Sequence, residues 1–385
     1  MADMFQLRPF QKEALAALES PTQSPQHVIC IAPTGSGKSL IYERLASRER
    51  CRTLLITPLV ALARQQFARL QKLGIPTFLG AGGGKSSPLI HQSGAWIVSP
   101  ELLQFASVQH HLTRWGPELM VVDECHCLWE WGDKFRPAFQ KVPHTLTLPS
   151  IRKSLWLTAT LPIEARLQLR TFFSTPPIEL GEFDLSPLVF LEIRHSPLTQ
   201  RLQELMSWLH SQEGTGIIFV STRDMTLRLA RVIAAMGKKT SIYHAGMSKE
   251  ERQLTERMVH EQQTQIVVAT TAFGMGMDYP HLSFVILWQA PTSLLSLVQT
   301  IGRVGRNVHT PSRALVFWDF DDFRMLEWTI QNSHKRRNEL NDLLIFLKSK
   351  NCRRASLRRY FGSTLKPSRC SRCDICAKIA YWPLA

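Results

Sequence analysis

Nowhere in this chain do about 18 apolar residues run together, so no membrane-spanning helix is expected. The N-terminus, MADMFQLRPFQKEAL, lacks a basic segment leading into an apolar one. That excludes a secretory signal and predicts a cytoplasmic protein. In that compartment disulfides are not expected, although the chain carries eight cysteines. Acids are scarce as well: 31 Asp and Glu stand against 46 Lys and Arg, a net charge of +15. The shortage favours a polyanionic partner, nucleic acid before a membrane surface. It is most marked late in the chain, where residues 335–372 hold twelve Lys or Arg and two acids.

What is present fits a globular protein. Apolar residues make up 44% and charged residues 20%, and 385 residues suffice for two or three domains. Short apolar runs alternate with stretches of helical period. In the first half the runs are VICIAP, TLLITP, WIVSP, LMVVDE and SLWLTAT; in the second they are GIIFVST, SIYHAG, IVVATT, FVILW and RALVFW. Continuous hydrophobicity suits strands covered on both faces, as in parallel α/β sheets. The pattern occurs twice, with a break at STPPIELGEFDLSP, residues 174–187. After Trp318 the strand runs stop, and the remainder reads as helical, basic and rich in cysteine.

The stretch CIAPTGSGKSL offers Thr34, Gly35, Ser36, Gly37, Lys38 and Ser39 after a strand run and before a helical one. That context suits a P-loop, whose backbone N–H groups and helix N-terminus face phosphate, although Ala32 stands where the pattern's first glycine belongs. A second Gly84-Lys85-Ser86 precedes Pro88 with no helical pattern behind it and reads as a loop. About 85 residues after the P-loop, an apolar run ends in Asp123 and Glu124. Asp123 is expected to hold Mg²⁺ with Ser39, and Glu124 to orient or deprotonate the attacking water. The second α/β pattern supplies Arg303 and Arg306 in QTIGRVGRN, read as a finger that crosses a cleft to the γ-phosphate of ATP. The triplet Cys125-His126-Cys127 is a poor metal site, because neighbouring side chains diverge along an extended chain. Cys352, Cys370, Cys373 and Cys376 are spaced as C-x17-C-x2-C-x2-C, a closed four-thiolate set suited to structural Zn²⁺. Cys30, Cys51, Cys125 and Cys127 read as small core residues.

These residues together resemble a RecQ-type DNA helicase of superfamily two, over nearly the whole chain. LRPFQKEAL looks like motif 0, which places Arg8 and Gln11 at adenine-reading positions. APTGSGKSL, TPLVALARQQ and SPELL look like motifs I, Ia and Ib. DECHCLWEWGDKFRPAF is similar to motif II with the aromatic-rich loop, and LTATLP to motif III. GIIFVSTR, IVVATTAFGMGMDYP and QTIGRVGR look like motifs IV, V and VI; Asp278 of motif V joins the nucleotide-binding set. CRRASLRRYFG followed by CSRCDIC resembles the family's zinc module. There are departures. Cys125 replaces an alanine, Thr300 an acid and Asn307 an aspartate; FDLSP stands for FDRPN, and Phe5 or Met4 would have to stack on adenine. The chain ends just after the zinc module.

The resemblance implies two RecA-like parallel-sheet domains, 1–180 and 181–328, and a helical zinc module, 329–385. It implies ATP-driven 3′–5′ translocation on single-stranded DNA and unwinding of duplex or branched DNA, in recombination or repair. His126 is expected to couple the γ-phosphate site to motif VI through Gln299. Trp129, Trp131, Phe135 and Arg136 would sense unpaired bases, since aromatic rings stack on any base. Ser99, Thr222, Arg223, Thr270 and Thr271 would contact the DNA backbone. Arg353, Arg354, Arg358 and Arg359 are expected to meet phosphates, some of them pairing instead with acids of the second domain. A DNA-stimulated ATPase that unwinds weakly, and an inactive DNA-binding scaffold, are the alternatives. The intact Lys38, Asp123, Glu124, Arg303 and Arg306 argue against the second.

Overall fold

The structure, a computed structural model, describes residues 7–20, 25–80, 87–131, 137–273, 279–307, 310–330, 334–364 and 369–378. The chain divides into two units, Met1–Phe183 with Phe361–Ser363, and Asp184–Tyr360 with Thr364–Ala385.

The first unit is built on strands β1 (Gln26–Ile31), β2 (Arg52–Ile56), β3 (Thr77–Leu79), β4 (Gly94–Val98), β5 (Leu119–Val122), β6 (Lys153–Thr158) and β7 (Ile178–Leu180). Their order is β3-β4-β2-β5-β6-β1-β7, and every neighbouring pair is parallel. Along β4 and β5 every residue is buried, the burial that continuous apolar runs predict for strands covered on both faces. Helices Pro9–Glu19, Ser39–Ala46 and Val60–Lys72 bring Ala14, Leu18, Ile41, Leu45, Ala63 and Leu70 into one core with Val28, Leu55, Ile97, Val121 and Leu155. Helix Ala106–Trp115 stops at Gly116, whose left-handed φ of 67° suits a residue without Cβ.

The second unit repeats this plan with β8 (Val189–His195), β9 (Thr215–Phe219), β10 (Thr240–Tyr243), β11 (Ile266–Ala269), β12 (Leu282–Leu287) and β13 (Ser312–Trp318). The order β10-β11-β9-β12-β13-β8, all parallel, matches the first sheet position for position, with β7 as the first sheet's extra strand. Helix Lys249–His260 starts with a reciprocal cap: Glu251 N–H donates to Ser248 Oγ, and Ser248 N–H to the Glu251 carboxylate. After β13 come helices Phe320–Ile330, His334–Lys348 and Arg353–Tyr360.

Each of the ten apolar runs in the sequence forms a strand. Three strands were not anticipated. β3 and β7 have three residues each, and β7 lies inside the stretch expected to be a break. β8 carries Glu192, buried and paired with Arg194 and Arg313, in the middle of its apolar residues. The cysteine-rich tail covers the outer edge of β8. Leu191 pairs with Cys373 in a parallel bridge, through Leu191 N–H to Arg372 O at 3.1 Å and Asp374 N–H to Leu191 O at 3.0 Å. The open donor and acceptor of Leu191 on this edge strand are thereby satisfied. The architecture is two parallel α/β sheets of RecA type followed by a helical region with a four-cysteine cluster.

Candidate active site and metal centre

β1 ends at Ile31, and the chain turns through Pro33–Gly37 into helix Ser39–Ala46. The turn needs left-handed backbone at Gly35 (φ 76°) and Gly37 (φ 82°), conformations that glycine adopts without strain. Thr34, Gly35 and Gly37 are exposed, Lys38 and Ser39 half-buried, and Ser36 buried. Lys38 Nζ donates to the carbonyls of Ala32 (2.7 Å) and Pro33 (3.1 Å), which poises the ammonium over the strand end. Gln11 Nε2 donates to Gly37 O at 2.7 Å, and Gln11 Oε1 accepts from Arg8 N–H at 2.8 Å. A residue expected to read adenine thus also braces the loop.

Asp123 and Glu124 follow the end of β5. Asp123 Oδ1 accepts from Glu124 N–H at 3.0 Å, and Asp123 Oδ2 accepts from Gln66 Nε2 at 2.6 Å. Burial first, and the Glu124 carboxylate second, push Asp123 up to about 7, against the pull of the Lys38 ammonium. A divalent cation would relieve a carboxylate held in this state. Asp123 with the Ser39 hydroxyl supplies the oxygen donors Mg²⁺ prefers, so the residues fit that ion. Glu124 itself sits at φ 50°, an uncommon conformation for a residue with a side chain, and such strain gathers at functional sites.

His126 is buried beside them. The hydroxyl of Thr158 gives its proton to Thr160 O at 2.9 Å, so the 3.0 Å contact from His126 Nδ1 to Thr158 Oγ1 has Nδ1 as donor. Glu124 Oε2 lies 3.2 Å from the same nitrogen, and Glu130 Oε2 lies 3.7 Å from Nε2. Burial opposes the imidazolium, but the neighbouring Cys127 and the Glu124 carboxylate outweigh it and raise His126 above the usual range. The sequence LTATLP is thereby joined to DECH through named atoms. Cys125 and Cys127 are buried, as core residues are, and so is Cys30; Cys51 is half-buried beside Thr53.

The expected DNA contacts are placed unevenly. Trp129 is half-buried, and its Nε1 donates to Gln168 on helix Ile163–Arg170. Trp131 ends helix Cys127–Trp131. Its side chain, together with Phe135, Arg136, Asp278 and the second Gly84-Lys85-Ser86, lies outside the described residues. Ser99 follows β4 and is half-buried. In the second unit Thr222 and Arg223 are exposed after β9, where Thr222 Oγ1 caps helix Arg223–Ala235 by accepting from Met225 N–H at 3.2 Å. Thr270 and Thr271 follow β11, the first half-buried and the second exposed. These four lie at the C-terminal ends of adjacent parallel strands, where open α/β sheets bind ligands. Gln299 belongs to helix Leu294–Ile301; Arg303 and Arg306 follow it, and Arg306 Nε donates to Gly302 O at 3.1 Å.

The sulfurs of Cys352, Cys370, Cys373 and Cys376 all lie within 4.8 Å of one another. A Zn–S bond of about 2.3 Å puts tetrahedral sulfurs about 3.8 Å apart, so the four thiols fit a closed zinc site. Burial raises the Cys370 and Cys373 thiols. Burial acts the same way on Cys376, but the Cys370 N–H and the neighbouring thiols outweigh it and lower Cys376 to about 7. Zinc there would supply folding energy rather than chemistry.

The expectation that some of the four arginines pair with acids of the second domain holds for Arg354 and Arg358. Arg353 and Arg354 are buried and turned inward. Arg353 pairs with Asp374 and donates to Phe346 O and Leu347 O. Arg354 donates to Leu185 O and to Ser186 O (2.9 Å), and with Arg358 it pairs with Asp184. A buried guanidinium must be paired; Arg354 finds Asp184 170 positions away, and Arg353 finds Asp374 21 positions away. Of the four arginines only Arg359 is exposed. Sequence reasoning also passed over Gln66 and Thr158 individually, although both lie in stretches singled out as motifs.

Comparison with known proteins agrees with this arrangement. Residues 8–168 match the DEAD/DEAH box helicase family, 198–308 the helicase conserved C-terminal domain, and 320–377 the RecQ zinc-binding family. The ATP-dependent DNA helicase RecQ of Pasteurella multocida is 27% identical over 97% of this chain and 61% of its own length. That of Haemophilus influenzae is 28% identical over 91% and 59%. The ATP-dependent DNA helicase Q5 of Rattus norvegicus is 28% identical over 96% and 42%. The chain therefore spans about three fifths of the length of the two bacterial relatives and less of the third. Among solved structures, Saccharomyces cerevisiae Dbp5 bound to RNA and ADP BeF3 shares the fold at 18% identity, with a TM-score of 0.63 over 88% of this chain and 93% of that one. With both helicase domains matched in order and the four cysteines clustered inside the third matched segment, the chain belongs to the RecQ family of helicases.

Proposed function

We propose that this chain is a DNA-dependent ATPase that moves 3′ to 5′ along single-stranded DNA and unwinds duplex or branched DNA in recombination or repair. The observation that carries the reading is the pairing of a glycine-turned loop with the half-buried Asp123, whose carboxylate is drawn on by the Lys38 ammonium. Residues 1–180 and 181–328 act as the two motor domains, and 329–385 as the zinc module. Thr34 to Ser39 cradle the phosphates, and Lys38 offsets β/γ-phosphate charge. Arg8, Gln11 and Asp278 serve the nucleotide. Mg²⁺, held by Ser39 and Asp123, would neutralise developing phosphate charge. Glu124 takes the proton of the attacking water, Arg303 and Arg306 stabilise the γ-phosphate, and His126 with Gln299 reports its presence.

On the DNA side, Ser99, Thr222, Arg223, Thr270 and Thr271 hold the backbone. Trp129, Trp131, Phe135 and Arg136 register unpaired bases. The net charge of +15 favours this polyanion. The test is strand displacement on duplexes with a 3′ or a 5′ single-stranded tail, each with and without ATP. ATP-dependent displacement of the 3′-tailed duplex is expected, and preference for the 5′-tailed one would overturn the polarity.

A further inference from the structure

Gln66 occupies a place that none of the roles above accounts for. It lies on helix Val60–Lys72 and is buried, 5% exposed. Its Nε2 donates to Asp123 Oδ2 at 2.6 Å, while Asp123 Oδ1 is already held by the Glu124 N–H at 3.0 Å. Each carboxylate oxygen therefore has its own donor from a different direction, and the plane of the carboxylate is fixed. Gln66 Oε1 is buried with no hydrogen-bond partner among the described residues. An amide chosen only to fill space would not strand its carbonyl, since an unpaired buried acceptor costs free energy. The orientation instead favours the N–H that meets the carboxylate.

The carrier helix is itself braced. Tyr42, buried on the P-loop helix Ser39–Ala46, lies beside Gln66. One turn further on, Arg69 pairs with Glu43 of the same P-loop helix, Nη2 to Oε2 at 3.0 Å. The amide is thus held from the helix that begins with Ser39 and aimed at the carboxylate that ends β5.

We propose that Gln66 is a positioning residue that orients the Asp123 carboxylate toward the divalent cation. The inference rests on the proposed nucleotide site. Gln66 touches neither nucleotide nor cation, and it acts through Asp123. Partners of this kind, one step removed from a metal, typically change affinity 10–100-fold when lost.

The test measures binding of a fluorescent ADP analogue to the full chain at rising Mg²⁺ concentrations and in excess chelator. Parent, Gln66→Leu and the volume-matched Gln66→Met are compared, with thermal melting of each. Tightening of ADP by Mg²⁺ in the parent establishes the site itself, and its absence would defeat the nucleotide-site reading before Gln66 is at issue. In the variants, ADP affinity in chelator should match the parent. The Mg²⁺ concentration for half-maximal tightening should rise about tenfold or more. If one variant fails to fold, the other carries the comparison. A folded variant with the parental Mg²⁺ midpoint, or one that loses ADP affinity equally with and without Mg²⁺, overturns the proposal.

Discussion

The two α/β units share one strand order, yet they treat the same place in it differently. In the first unit, the cation that follows β1 is Lys38, half-buried at a glycine turn, with Asp123 at the end of β5. In the second unit, β8 and β12 take the positions of β1 and β5. There the cation is Arg201, 1% exposed on helix Leu198–His210. Its guanidinium donates to Ser196 O (2.8 Å), to Trp288 O at the end of β12 (2.7 Å), and to both oxygens of Asp322 (3.2 Å each). Asp322 also accepts from the N–H groups of Ala290 and Asp319. One scaffold position is thus a half-buried ammonium at a turn that needs glycine, and its counterpart is a closed ion pair entered through Ser196-Pro197. Fold alone does not assign chemistry; the side chains at the strand ends do.

That contrast can be broken from either side. Lys38→Ala should lower ATP turnover roughly 100-fold or more, because the phosphate charge loses its fixed partner. The same variant should melt with the parent, since Lys38 is only half-buried. Arg201→Ala should do the reverse in kind. It leaves Asp322 without its guanidinium and should cost about 3–5 kcal/mol of stability, read by denaturant unfolding of the second unit. An Arg201→Ala protein as stable as the parent would contradict the structural role given to that ion pair.

The zinc cluster sharpens the comparison, since its tail bridges the outer edge of β8, the edge that β7 occupies beside β1 in the first unit. Cys373→Ser should lower zinc content by elemental analysis and reduce folded yield. Cys373 is fully buried at the bridge to Leu191, so metal and edge are lost together. The smallest effect is expected from Trp131→Ala combined with Phe135→Ala. Basal ATP turnover should survive, while stimulation by single-stranded DNA should weaken about tenfold, from stacking worth roughly 1–3 kcal/mol per base. An unchanged stimulation curve would assign those rings to packing.

What was legible in the sequence was local. The ten apolar runs became strands because length, β-branched content and flanking turns are short-range signals. The P-loop, the Asp123-Glu124 pair and the C-x2-C-x2-C spacing are likewise contiguous. β3 and β7 escaped because three residues carry no period, and β8 because Glu192 interrupts its apolar character. The inward turn of Arg353 and Arg354 was not legible in detail. Arg354 and Arg358 meet Asp184 about 170 positions earlier in the chain, and composition alone reads the same residues as a basic surface. The Gln66–Asp123 contact escaped for the same reason, spanning 57 positions between a helix and a strand end. Nothing local marks Arg201 for burial, since its partner Asp322 lies 121 positions later.

The central claim is that the Lys38–Asp123 site of the first unit turns over ATP in response to single-stranded DNA. Steady-state ATP hydrolysis against single-stranded DNA concentration, for the parent and Lys38→Ala at one salt concentration, tests it most directly. The account predicts turnover that rises with DNA and saturates in the parent, and background turnover at every DNA concentration in Lys38→Ala. Turnover in Lys38→Ala equal to the parent, or parental turnover indifferent to DNA, would contradict it.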